Sequence, residues 1–261
     1  MEKYLYTEQC EKATQHKYLY HYTTLNALEC ILKNKSLRLT RLDKVNDPDE
    51  NNRTPKLWNT KIYVACFTNN QLTANYFQKQ YNSNIRIDFL PQKLTFQPYF
   101  DSECTKPLLS FKNDFNSRSN INHNTYGDIS DWCYFDSSFM DIYYTNNLKN
   151  HIDESGFTEN AGMIKLKEGK DNMGKSRDWN IEAETRARVA VRPIGIEFYR
   201  KKMDFEYYLP PFEYIYIPIN NSISGISISR HCSEADKSKF KQLVDKWMLN
   251  PNNNSLNIGV L

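Results

Sequence analysis

Four charged residues stand at every second position in the stretch from Arg177 to Val191, RDWNIEAETRARVAV: Glu182, Glu184, Arg186 and Arg188. Ala, Thr and Ala separate them. Strand side chains repeat every two residues, so this spacing places all four on one face of a strand. Two close carboxylates repel, and one takes up a proton unless cations stand beside them. Arg186 and Arg188 are the expected counter-ions, keeping both acids charged. A carboxylate fixed in a dry site stabilises developing positive charge, as glycoside cleavage requires when the sugar becomes oxocarbenium-like. Its neighbour can position the attacking group. The competing reading is a solvated edge strand whose charges discourage aggregation.

Such a site needs an ordered scaffold. A chain of 261 residues is long enough for one large domain with a substantial core. Its 18 Tyr and 14 Phe supply the buried area that offsets chain entropy, which argues against disorder. A net charge of +3 neither requires nor excludes a nucleic-acid partner. The amino terminus MEKYLYTEQCEKATQHK is polar, without an apolar signal core, and no apolar run reaches the roughly eighteen residues of a membrane span. A cytoplasmic protein with no membrane partner is expected. The six cysteines are scattered with no C-x-x-C pair, which predicts reduced, mostly buried thiols. The five histidines show no metal-ligand spacing, so no metal is expected.

The elements that must carry the charged stretch read as a single α+β domain over 1–261, with an amino-terminal half (17–90), a variable helical and loop insertion (91–178) and a closing segment of strands and a helix (179–249). Lys17 to Thr23 is an aromatic strand, followed by Thr24 as N-cap and a helix through Leu25, Leu28, Ile31 and Leu32. Ser36 to Leu42, Lys61 to Thr68 and Asn84 to Leu90 read as strands, with LTANYFQKQY as a helix between the last two. Val45 to Pro55 is loop chemistry. Trp132, Phe135, Phe139, Ile142 and Tyr143 recur at helical spacing, which predicts a helix over Asp131 to Ile152. Ala161 to Lys165 is a short strand, and Lys167 to Lys175 a solvated loop. Three short strands, GIEFY, EYIYIPI and SGISIS, precede a helix capped at Ser233 and apolar at Phe240, Leu243, Val244 and Trp247.

Three blocks resemble the His-Tyr-Glu type of ADP-ribosyltransferase, the class of diphtheria toxin and the poly(ADP-ribose) polymerases. HYTTLNALECILKNKSLRLT matches its first motif through His21-Tyr22-Thr23, Ile31-Leu32 and Ser36-Leu37-Arg38. KIYVACFTNNQLTANYF is similar to the second, through Tyr63, Thr73, Ala74 and Tyr76, and Glu184 corresponds to the late acid. Tyr22 stands where those enzymes carry Gly, and Thr73 where they carry Ser. The chain from about Tyr18 to Trp247 also resembles a bacterial family known as domain of unknown function 2971. It shares H-Y-T (His21 to Thr23), N-D-P-x-E (Asn46 to Glu50), C-F-T (Cys66 to Thr68), W-x-x-E-x-E-x-R (Trp179 to Arg186) and I-x-x-I (Ile223 to Ile226).

The transferase resemblance implies a split β-sandwich of two small mixed sheets with flanking helices, and NAD as a substrate. It implies Glu184 as the catalytic acid, with Glu182 and His21 assisting. His21, Tyr22, Thr23, Arg38, Tyr63, Thr73, Tyr76 and Arg186 would contact NAD. The implied activity moves ADP-ribose to a macromolecular acceptor, as in a toxin or phage-defence effector, with an antitoxin or regulatory protein as a further partner. Two other readings stay open: a non-catalytic nucleotide-sensing or protein-binding module on the same scaffold, and a metal-dependent nucleic-acid enzyme built on the two glutamates.

Overall fold

The computed structural model describes residues 2–45, 61–110, 132–147, 163–170, 175–193, 212–248 and 257–261. Along the chain run α1 (Glu2–Thr14), β1 (Leu19–Thr23), α2 (Leu25–Asn34), β2 (Ser36–Arg41), β3 (Lys61–Thr68), α3 (Ala74–Tyr81) and β4 (Ile85–Phe89). After them come β5 (Leu109–Ser110), β6 (Trp132–Asp141), β7 (Tyr143–Thr145), β8 (Ile164–Leu166), β9 (Glu168–Lys170), β10 (Ser176–Asp178) and β11 (Glu184–Pro193). The chain closes with β12 (Tyr214–Pro218), β13 (Ile223–Ile228), α4 (Glu234–Met248) and β14 (Asn257–Val260).

Local chemistry sets several of these boundaries. The Thr24 hydroxyl accepts from the Ala27 amide and starts α2, whose Leu25, Leu28, Ile31 and Leu32 are buried at helical spacing. Ser233 accepts from the Asp236 amide at the start of α4. On β11, Thr185, Ala187, Val189 and Val191 are fully buried at period two.

Ten strands form one sheet in the order β14-β13-β4-β1-β3-β11-β6-β5, with β2 and β12 as a side branch on β3. The sheet forks at β3. β1 pairs with its carboxyl end at Thr68, whereas β2 pairs along the same edge with Val64 and Tyr63. Between those contacts β1 and β2 diverge past Cys66 and Phe67. The strands therefore make one branched sheet, with β7–β8 and β9–β10 as separate ribbons. The mixture of helices and strands is the α+β architecture the sequence predicts. One sheet face packs on α2 and α4 through Phe67, Ile87, Phe89, Ala187, Val189, Leu243 and Val244.

The helix expected over Asp131 to Ile152 is replaced by β6 and β7. β6 lies between β11 and β5, and it is covered on both faces. Phe139 and Trp132 enter the main core, while Met140 packs with Leu5, Tyr6 and Cys10 of α1. A strand covered on both sides loses the polar alternation that would reveal it, and tertiary pairing overrides the helical spacing. The charged stretch is not at an edge either. β11 is paired on both sides, with β3 and β6, which excludes the solvated-edge reading.

Cys133 is the buried cysteine; Cys30 and Cys66 are exposed and the other three intermediate, so the thiols are free but not mostly buried. Residues 195–199, expected as a strand, and most of the loop ending at 55 lie outside the described residues. No described helix is long and apolar enough to cross a membrane.

Candidate functional site

A cavity of about 250 Å3 opens at the fork, and its lining includes His21, Tyr22, Phe77, Lys165, Glu182 and Glu184. Residues directly opposite in an antiparallel pair share a face. Glu184 faces Thr68, Arg186 faces Cys66, and Tyr20 faces Thr68, so the charged residues of β11 lie on the face that carries Tyr20 and Tyr22. His21 alternates to the other face, where its ring lies 5.5 Å from Phe67 and 6.5 Å from Phe89. Both His21 and Glu184 reach the cavity because β1 and β2 separate there. His21 Nδ1–H donates to the Cys66 carbonyl at 2.9 Å, taking the place of a ladder bond at the fork. A carbonyl can only accept, which assigns that tautomer and leaves Nε2 as an acceptor. Burial holds the imidazole below its usual pKa despite that bond, so it is neutral near pH 7.

The charged cluster departs from a simple strand face. Glu182 is not on β11 but ends a 3-10 turn, Trp179–Glu182. Ala183 follows with φ 43°, a left-handed conformation that is uncommon for a residue with a Cβ. The Asn69 amide donates to the Ala183 carbonyl at 3.2 Å and pins that turn against the end of β3. Trp179, 2% exposed, anchors the turn from beneath. Reversed this way, Glu182 and Glu184 meet at one ammonium: Lys165 Nζ lies 3.4 Å from Glu182 Oε2 and 3.1 Å from Glu184 Oε2. Arg186 donates to Glu184 through Nε at 2.6 Å and Nη2 at 3.2 Å. Arg188, expected beside the glutamates, instead pairs with Asp136 of β6, to which Tyr6 of α1 also donates.

The two acids differ in their surroundings. Burial would raise the Glu184 carboxyl, but the Arg186 and Lys165 charges outweigh it and hold the pKa at about 2. The Glu184 amide also donates to the Tyr144 hydroxyl at 3.1 Å, fixing the start of β11. Burial raises Glu182, opposed by Lys165 and reinforced by the charge on Glu184. The Tyr81 hydroxyl donates to Glu182 Oε1. One acid thus stays ionised near neutral pH while the other can carry a proton, the division that acid–base chemistry at one site needs.

The aromatic wall differs from the expected one. Tyr22 stacks on Phe77 with centroids 4.7 Å apart and planes 3° from parallel. Phe77 and Tyr81, one helical turn apart on α3, line the cavity. Tyr76 does not, although burial and the nearby Glu182 push its phenol up to about 12. The matched position is one residue off, because the helix phase turns Tyr76 aside. Tyr63 is fully buried on the core face and donates to the Phe212 carbonyl at 2.9 Å. Arg38 is exposed and stacks over Tyr214 at 4.4 Å. Thr73 is buried, donating to the Asn70 carbonyl at 2.8 Å in the turn before α3. Thr23 closes β1 opposite Ile85 and is not among the residues lining the cavity. His21, Tyr22, Glu182, Glu184 and Arg186 are the expected residues that the fold gathers.

Lys165, Tyr81, Phe77 and Cys66 are lining residues that sequence reasoning did not select. For Phe77 and Tyr81 a signal exists, since they are the i, i+4 aromatic pair of α3. Lys165 is the middle residue of a three-residue strand 17 positions before Glu182, with no local pattern to mark it. Among the described residues no three His, Cys, Asp or Glu side chains gather as metal ligands. Comparisons with protein-family models, with curated proteins and with solved structures found no match to this chain.

Proposed function

We propose that this cavity binds the nicotinamide–ribose end of NAD and that the chain is an ADP-ribosyltransferase-like enzyme. The observation that carries the reading is the meeting of the first strand's imidazole, His21, with the buried ionised Glu184 at an aromatic-walled cavity in a forked sheet. The fork supports the split architecture of that enzyme class. A volume of about 250 Å3 lies just below the ~300–1,000 Å3 of drug-sized sites, which suits a ring and its sugar rather than a whole dinucleotide.

In this reading the Tyr22–Phe77 pair offers a flat surface for the nicotinamide ring. His21 Nε2 accepts a hydrogen bond from a ribose hydroxyl. The C1′–N bond breaks with its electron pair leaving on neutral nicotinamide, and the positive charge that grows on the sugar is stabilised by Glu184. The acceptor's nucleophilic atom bonds to C1′ and gives its proton to the Glu182 carboxylate. The acceptor is a macromolecule, the relation expected of a toxin or defence effector.

One observation favours a second reading, a nucleotide-binding module without turnover: Glu184 is already engaged by two cations, Arg186 and Lys165. NAD consumption and NAD binding by calorimetry separate the two. Turnover by the wild type that disappears in Glu184→Gln is the expected result. Binding without consumption supports the module, and neither binding nor consumption refutes both.

A further inference from the structure

Lys165 is held from three sides. Its side chain is 4% exposed, its Nζ lies 3.1 Å from Glu184 and 3.4 Å from Glu182, and the Trp179 ring centroid is 4.3 Å away. It enters the site from β8, which pairs in parallel with β7 so that Lys165 sits opposite Tyr144, the residue bonded to the Glu184 amide. We propose that Lys165 is a positioning residue of the site, the shared cation that holds both carboxylates at one cavity floor and lets Glu182, the acid without an arginine, give up its proton. The use made of that proton rests on the glycosyl-transfer reading above; the placement of the proton does not.

Positive charge is supplied unequally to the two acids. Glu184 has Arg186 on two bonds and a share of Lys165. Glu182 has the other share of Lys165 and a neutral phenol, that of Tyr81. The other titratable groups facing the pair do not redress the balance. Cys66 of β3 and Tyr144 of β7 sit beside Glu184, and both are held above their usual pKa, so neither brings charge to the pair. Tyr76 lies near Glu182, within reach of the Arg177 and Asp178 charges. Arg177 itself donates to Gln80 and lies 5.5 Å from the Tyr81 ring. Glu182 is therefore the acid that accepts a proton, and Lys165 is what lets it ionise at all in a buried floor. When Glu182 takes the proton of an attacking group, its charge disappears and Lys165 is left to Glu184, the carboxylate that faces the sugar.

Glutamate carboxyl carbons enriched in 13C report both acids by NMR across pH without any turnover, with Glu182→Gln and Glu184→Gln assigning the signals. In Lys165→Met the Glu182 midpoint should rise by about one pH unit or more, and Lys165→Arg should bring it back towards the wild-type value. Unmoved midpoints in folded Lys165→Met overturn the proposal. Lys165→Met/Glu182→Gln removes one charge of each sign and covers the case in which the single variant does not fold. There the Glu184 midpoint should rise relative to Glu182→Gln alone, and an unchanged Glu184 overturns the proposal equally. NAD turnover measured on the same proteins is a separate reading: its absence throughout, with the titrations moved as expected, refutes glycosyl transfer and leaves Lys165 in its assigned role.

Discussion

Acid should weaken this protein through one named residue. Glu184 is 4% exposed and carries three hydrogen bonds from two cations, which hold its carboxyl at about 2 against the 4.5 of a free glutamate. That gap corresponds to about 3 kcal/mol of folding free energy, a large part of the ~5–15 kcal/mol typical of a domain. The folded-state pKa is the lower of the two. The contribution is therefore complete above about pH 4.5 and is lost as pH falls towards 2, at about 1.4 kcal/mol per pH unit. Glu182 titrates in the opposite sense, since its raised folded pKa contributes stability that is lost as pH rises through that value. The measurement is cleanest with Glu182 replaced. Urea unfolding of Glu182→Gln and of Glu182→Gln/Glu184→Gln, from about pH 6 to pH 3, gives a stability difference that should shrink by about 1.4 kcal/mol per pH unit below pH 4.5. A difference that stays constant across that range would mean that Glu184 is not an ion-paired carboxylate in the folded protein.

Two other outcomes are expected. Arg188→Met should destabilise the protein by about 1–3 kcal/mol in thermal melts, by stripping Asp136 of its cation beneath α1, while leaving the Glu184 titration where it was; a displaced Glu184 would put Arg188 back at the acid pair. Tyr81→Phe removes the phenol that bonds the ionised form of Glu182, so the Glu182 midpoint should move up and stability fall by about 1–3 kcal/mol; an unmoved midpoint would show that the hydroxyl bonds elsewhere.

Cooperation between near neighbours made part of this protein legible from its residues. The α2 cap at Thr24, the capped start of α4 and the strands β1 to β4 follow from side chains within one helical turn or one strand repeat. β11 was legible for the same reason, since alternation alone places Glu184 and Arg186 on a common face; that His21 and Glu184 share a cavity was implied only by the resemblance of their blocks to the transferases.

What the amino-acid order could not decide is which face of each strand became the core and what arrived from elsewhere. Tyr63 and Cys66 sit on one strand, yet three residues of separation send one into the core and the other into the cavity. Whether Tyr76 or its neighbour Phe77 meets the cavity depends on how α3 is rotated against the sheet, and whether Arg188 serves the glutamates or Asp136 depends on where α1 and β6 dock. Lys165 is the plainest case. Its place between the two acids exists because β8, the left-handed Ala183 and the buried Trp179 are brought together by long-range pairing. The cost of burying two carboxylates is met by a cation whose sequence position carries no sign of them.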